Sequence, residues 1–134
     1  ANAQTAYIRN HKVMATLLAQ GYGIPASVIL AVAYVESGGG NGATAKVLNN
    51  HFGIEGENEF VNRRGHKSRY KQYDNELASY VDFCQVISCK KFYSKLKRKH
   101  DTHAWVKAIS NAGYSEEPVI WEKRILSTIK ANRL

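Results

Sequence analysis

Apolar side chains recur at helical spacing through most of this chain. Between residues 5 and 20, Tyr7, Ile8, Met14, Leu17 and Leu18 form one stripe, the pattern of a helix that buries one face. Gly21-Tyr-Gly23 ends it. Pro25 suits the first turn of a second helix, where its preset φ helps and its missing N–H costs nothing. That helix runs to Glu36 through the apolar run Val28-Ile-Leu-Ala-Val-Ala-Tyr-Val35. The stretch from Ala43 to Leu48 predicts one short helical turn.

The period changes between residues 52 and 73. Glu55-Gly-Glu57-Asn-Glu59, Arg63-Arg-Gly-His66 and the alternating Arg69-Tyr-Lys-Gln-Tyr73 predict a short polar β-hairpin turning near Gly65. Helical spacing then returns. Asn75 caps a helix through Leu77, Tyr80, Val81 and Cys84. Asp101 or Thr102 caps another carrying Trp105, Val106 and Ile109, which Gly113 stops. Pro118 opens the last, with Ile120, Trp121, Ile125, Leu126 and Ile129 inward. The expected fold class is α+β, mainly helical with one small hairpin. No repeat or linker divides residues 1–134, so the expectation is one domain.

The 134 residues can bury a sizeable core. The net charge of +8 points to a polyanionic partner: nucleic acid, an anionic membrane or an anionic wall. No apolar stretch is long enough to cross a bilayer. The start, Ala1-Asn-Ala-Gln-Thr5, fits a mature secreted chain or a trimmed one. Cys84 and Cys89, five apart on a continuous helix, are too distant to bridge, which favours two buried thiols.

Glu36 is the strongest chemical signal. A carboxylate closing an apolar helix sits at the negative end of the helix dipole. Apolar neighbours also disfavour its charged form. Both effects raise its pKa, as a general acid requires. The glycines of Ser37-Gly38-Gly39-Gly40 turn the backbone sharply and leave space beside the carboxyl. A plain helix-end charge pointing to water is the competing reading.

Four motifs follow in order: Glu36-Ser37-Gly38-Gly39-Gly40; Asn49-Asn50-His51-Phe52-Gly53-Ile54; Tyr73-Asp74; and Ala112-Gly113-Tyr114-Ser115 with Pro118 beyond. Together they resemble the endo-β-N-acetylglucosaminidase domain of bacterial peptidoglycan hydrolases, the family of flagellar-rod glucosaminidases and autolysins. The resemblance covers nearly the whole chain. It implies a lysozyme-like domain with a hairpin lobe beside a substrate groove. The implied reaction is cleavage of the β-1,4 bond after N-acetylglucosamine in peptidoglycan. A secreted, periplasmic or cell-envelope location and a monomer are expected with it.

By the resemblance, Glu36 is the proton donor and Tyr114 lines the catalytic site. Asn50 and Phe52 shape the groove floor, with Ser37 and Tyr73 beside the substrate. The second catalytic carboxylate is sought on the hairpin, where Glu59 leads and Glu57 follows. Assistance by the substrate's own 2-acetamido group is the third option. The chain departs from the family pattern at Gly39, where many relatives have Trp, which implies a wider groove. Its last motif reads Gly-Tyr-Ser-Glu-Glu-Pro instead of the commoner Gly-Tyr-Ala-Thr-Asp-Pro, with Tyr114 kept.

No cofactor is expected. His100-Asp101-x-His103 lacks the further ligands of a metal site, and His51 reads as structural or groove-lining. Ser37 has no triad partners. Tyr70, Tyr73 and Tyr80 fit packing better than sugar stacking. The basic run Lys90-Lys91, Lys95 and Lys97-Arg-Lys99-His100 has no nucleic-acid motif and suits an anionic glycan polymer equally, so no nucleic-acid partner is expected. A lytic transglycosylase also uses a Glu-Ser pair at a helix end, but its Gly-Leu-Met-Gln segment is absent.

Overall fold

Seven helices account for the regular structure in the computed structural model, which describes residues 4–59, 65 and 67–134. They are α1 (Ala6–Tyr22), α2 (Ala26–Glu36), α3 (Ala43–Leu48), α4 (Glu76–Ser88), α5 (Tyr93–Leu96), α6 (Thr102–Asn111) and α7 (Pro118–Ala131). The caps explain most boundaries. Thr5, Asn75 and Asp101 each accept a hydrogen bond from a backbone N–H in the first turn, at Ile8, Ala78 and Ala104, which satisfies an otherwise orphaned donor. Pro118 is the first residue of α7. The first helix runs past Gly21 and stops at Gly23, whose φ of 70° lets its N–H close on Ala19 O. The one-turn α5 carries too little apolar pattern to stand out in the sequence.

The core is built around α2. Val28, Ile29, Leu30, Ala31, Val32 and Ala33 are all buried, because α1, α4, α6 and α7 pack around this helix. Each large side chain among them contributes roughly 1.5–3 kcal/mol of hydrophobic stabilisation. The continuous apolar run is the mark of a helix surrounded on all sides. Trp105, Phe83, Tyr80, Phe52 and Ile125 complete the core.

The α+β reading with a β-hairpin lobe is corrected here: no sheet forms among the described residues. Segments 54–57 and 69–72 meet at one isolated antiparallel bridge, Glu55 with Tyr70. Three backbone bonds flank it: Gly56 N to Arg69 O, Lys71 N to Ile54 O and Gln72 N to Glu57 O. Beyond these, side chains replace the ladder. Asn58 Nδ2 donates to the carbonyls of Ser68 and Tyr70, and Glu59 N donates to Gln72 Oε1. With polar side chains satisfying the backbone and almost no apolar face to bury, the pairing does not extend into strands among the described residues. The predicted turn residues Arg63, Arg64 and His66 lie outside the described residues. This irregular arm is anchored to α4 by Asp82, which accepts from Tyr73 Oη at 2.5 Å and from Lys71 Nζ at 3.0 Å.

Both cysteines are free. Cys84 is buried, but Cys89 is exposed, because α4 ends at Ser88 and leaves Cys89 as its cap. The expectation of two buried thiols is corrected accordingly.

Candidate active site

Glu36 is the last residue of α2, and its side chain emerges into a groove of about 720 Å³. The groove is lined by Glu36, Phe52, Gly53, Ile54, Glu55, Arg69, Tyr70, Val86, Ile87, Lys90, Ile109 and residues 112–117. The carboxyl is half-buried and has one side-chain donor, Trp121 Nε1, at 2.7 Å from Oε1. Burial raises its pKa above the ordinary carboxylate range, against the opposing pull of the Trp121 hydrogen bond and the Arg124 charge. Glu36 therefore holds its proton more tightly than a solvated glutamate does.

The opposite wall is a backbone turn shaped by one side chain. Asn50 is 1% exposed. Its Oδ1 accepts from the N–H groups of Phe52, Gly53 and Ile54, and its Nδ2 donates to Ile54 O and Lys71 O. Asparagine suits the site because its short amide carries a two-proton donor and a separate acceptor oxygen, and both ends are used here. The turn brings Gly53 against the acid: a Cβ added there would lie 3.4 Å from Glu36 Oε2, and φ is +70°. Glycine meets both constraints. Tyr114 closes this arrangement. Its hydroxyl donates to Phe52 O at 2.5 Å, and its ring lies 5.4 Å from that of Trp121. Burial, then the nearby Glu36 charge, pushes the Tyr114 phenol well above its usual value, so it stays a neutral donor.

The groove thus joins Glu36, Phe52 and Tyr114 among the residues singled out in the sequence. Ser37, Asn50 and Tyr73 lie outside its lining. Ser37 is buried, with Oγ accepting from Gly40 N, and Tyr73 is turned toward Asp82. Glu57 and Glu59 are exposed and outside the lining, whereas Glu55 lines the groove and pairs with Arg69 at 3.4 Å. Gly39 sits against Tyr34 and also lies outside the lining. Sequence reasoning missed Glu55, Tyr70 and the Trp121 donor. The signal for Trp121 was available, since a buried indole N–H must find an acceptor.

A family model described as mannosyl-glycoprotein endo-beta-N-acetylglucosaminidase matches residues 12–134. The chain belongs to the glucosaminidase family. As a glucosaminidase it is a glycoside hydrolase. Solved structures agree on the fold. The glycoside hydrolase domain of FlgJ from Salmonella typhimurium aligns at TM-score 0.74 and 20% identity, covering 95% of this chain and 86% of that one. The peptidoglycan hydrolase from Sphingomonas sp. A1 aligns at 0.70 and 21%, covering 95% and 94%. The catalytic domain of the autolysin Auto from Listeria monocytogenes aligns at 0.73 and 18%, covering 95% and 82%. No curated protein matches the chain by sequence.

Proposed function

We propose that this glucosaminidase cleaves the β-1,4 bond after N-acetylglucosamine in the glycan strands of peptidoglycan, with Glu36 as the general acid. The observation that carries the reading is the seat of Glu36. It is half-buried at the negative end of α2, held by Trp121 and open to a groove of about 720 Å³. A carboxyl kept protonated there can donate to the glycosidic oxygen as the bond breaks. Asn50 and Phe52 act through the turn that sets Gly53 beside the acid. Tyr114 is a positioning residue, because its hydroxyl is committed to Phe52 O. Ser37 fixes the bend after Glu36, and Tyr73 anchors the arm.

The positive charge developing on the sugar calls for a second carboxylate or for the substrate's acetamido group. The arm carries three candidates, Glu55, Glu57 and Glu59. Glu55 ranks first by position because it lines the groove with Glu36. The net charge of +8 and the rim residues Arg69 and Lys90 suit the carboxylates of peptide stems. With this substrate the protein works in the cell envelope, and residues 1–134 act as one catalytic domain and as a monomer.

Digestion of purified peptidoglycan, followed by borohydride reduction and mass spectrometry, tests the reading. Fragments ending in reduced N-acetylglucosamine are expected. Reduced N-acetylmuramic acid ends would make the protein a muramidase, and anhydro-muramyl ends a transglycosylase. Glu55→Gln, Glu57→Gln and Glu59→Gln separate the arm carboxylates: loss of turnover in one names the partner. Full activity in all three leaves the acetamido route.

A further inference from the structure

The backbone turn that carries Phe52 and Gly53 into the groove carries His51 into a second cleft, of about 490 Å³. There His51 meets His11, from α1, and Glu76, the first residue of α4. One donor atom from each of the three lies within 4.8 Å of the others. Both Nε2 atoms approach the same carboxylate oxygen, Glu76 Oε2, His11 at 3.0 Å and His51 at 3.5 Å. These residues are 25 to 65 positions apart in the sequence, so the fold alone assembles them.

The remaining ring nitrogens are already held. His11 Nδ1 lies 2.7 Å from the carbonyl of Tyr7. A carbonyl can only accept, so Nδ1 carries a proton and Nε2 is the ring nitrogen that faces Glu76. His51 Nδ1 lies 2.7 Å from Tyr7 Oη, which in turn lies 2.7 Å from Tyr80 Oη. Such outer partners, fixing tautomer and ring plane, are the usual second layer around metal-bound histidines.

The spacing suits an ion. With Zn–N and Zn–O bonds of about 2.0–2.2 Å, tetrahedral donors sit roughly 3.3 Å apart, between the two Nε2–Oε2 separations. Glu76 is half exposed, which leaves an approach for the ion and a place for water as a further ligand. We infer that His11, His51 and Glu76 form a divalent transition-metal site, of the type that takes Zn²⁺, outside the Glu36 groove. Two imidazoles and one carboxylate select a borderline ion of this kind over Mg²⁺ or Ca²⁺, which favour all-oxygen sites. A bound ion would tie α1 and α4 to the turn that forms the groove wall.

Titration of the chelator-treated protein with ZnCl₂ by calorimetry, with Tm measured in parallel, tests the inference. One equivalent should bind, and Tm should rise with added Zn²⁺. Co²⁺ should give the visible absorption of a tetrahedral site. Glu76→Gln and His11→Gln should each weaken binding by at least about tenfold. The double variant His100→Gln/His103→Gln should bind as the wild type does. An absence of saturable binding in the folded wild type would overturn the site. So would undiminished binding in both single variants, whatever the metal-free Tm of either. These readouts are independent of glycan cleavage, so their failure leaves the role of Glu36 untouched.

Discussion

Glu36 and Glu76 are the same residue placed at opposite helix ends. Glu36 closes α2, where the dipole is negative, the neighbours are apolar and one indole donates to it. Glu76 opens α4, where the dipole is positive, the side chain is half exposed and two imidazoles face it. The first setting holds a proton. The second offers a negative oxygen to a cation. A single turn, residues 49–54, links them, since Gly53 abuts Glu36 while His51 abuts Glu76. Sequence position along a helix thus does more than residue identity to decide what each carboxyl can do.

The contrast can be broken first at the linking turn. Tyr114→Phe keeps the ring but leaves the part-buried Phe52 carbonyl without its donor. The expected loss is about 1–3 kcal/mol, read by denaturant unfolding, with reduced kcat from a displaced groove wall. Gly53→Ala forces a left-handed φ on a residue with Cβ and presses a methyl toward Glu36 Oε2. It should cost roughly 1–2 kcal/mol and lower kcat more than it changes KM. An unaltered kcat in either variant would separate the turn from the acid.

Charge then sharpens the contrast. Burial raises the Glu36 carboxyl, so the folded chain binds this proton more tightly than the unfolded chain. Stability from this group is therefore full below the unfolded carboxylate range and falls as pH rises through the raised value. Glu36→Gln should raise Tm at neutral pH, with the gain vanishing in acid. Glu76→Gln should act in the opposite sense, losing up to about 1 kcal/mol with its exposed pairing. Calorimetric scans of both variants across pH compare the two ends directly. The smallest effect is expected for Trp121→Phe. Removing the donor that lowers the Glu36 pKa should move the alkaline limb of kcat/KM to higher pH, and a downward shift would contradict the assigned hydrogen bond.

Local signals were legible in the sequence and long-range ones were not. The cap at Asn75, the cap read at Asp101 or Thr102 and the opening at Pro118 depend on neighbouring residues, and the helices follow them. Glu36 stood out because its contradiction, a charge ending an apolar helix, is also local. The arm misled because alternating Arg69-Tyr-Lys-Gln-Tyr73 has a strand's period without an apolar face to bury. Asn50 read as a residue of the groove floor, whereas its amide organises the turn from beneath it. The pairing of Trp121 with Glu36 spans 85 positions, and the meeting of His11, His51 and Glu76 joins three separate segments. No spacing rule reaches either.

The most direct test of the account is the rate of peptidoglycan cleavage by Glu36→Gln, measured beside the wild type at the optimal pH with folding checked by circular dichroism. A fall of about 10²–10⁴-fold in kcat is expected from a protein at least as thermally stable as the wild type. A folded Glu36→Gln that cleaves within a few-fold of the wild-type rate would contradict the assignment of the acid.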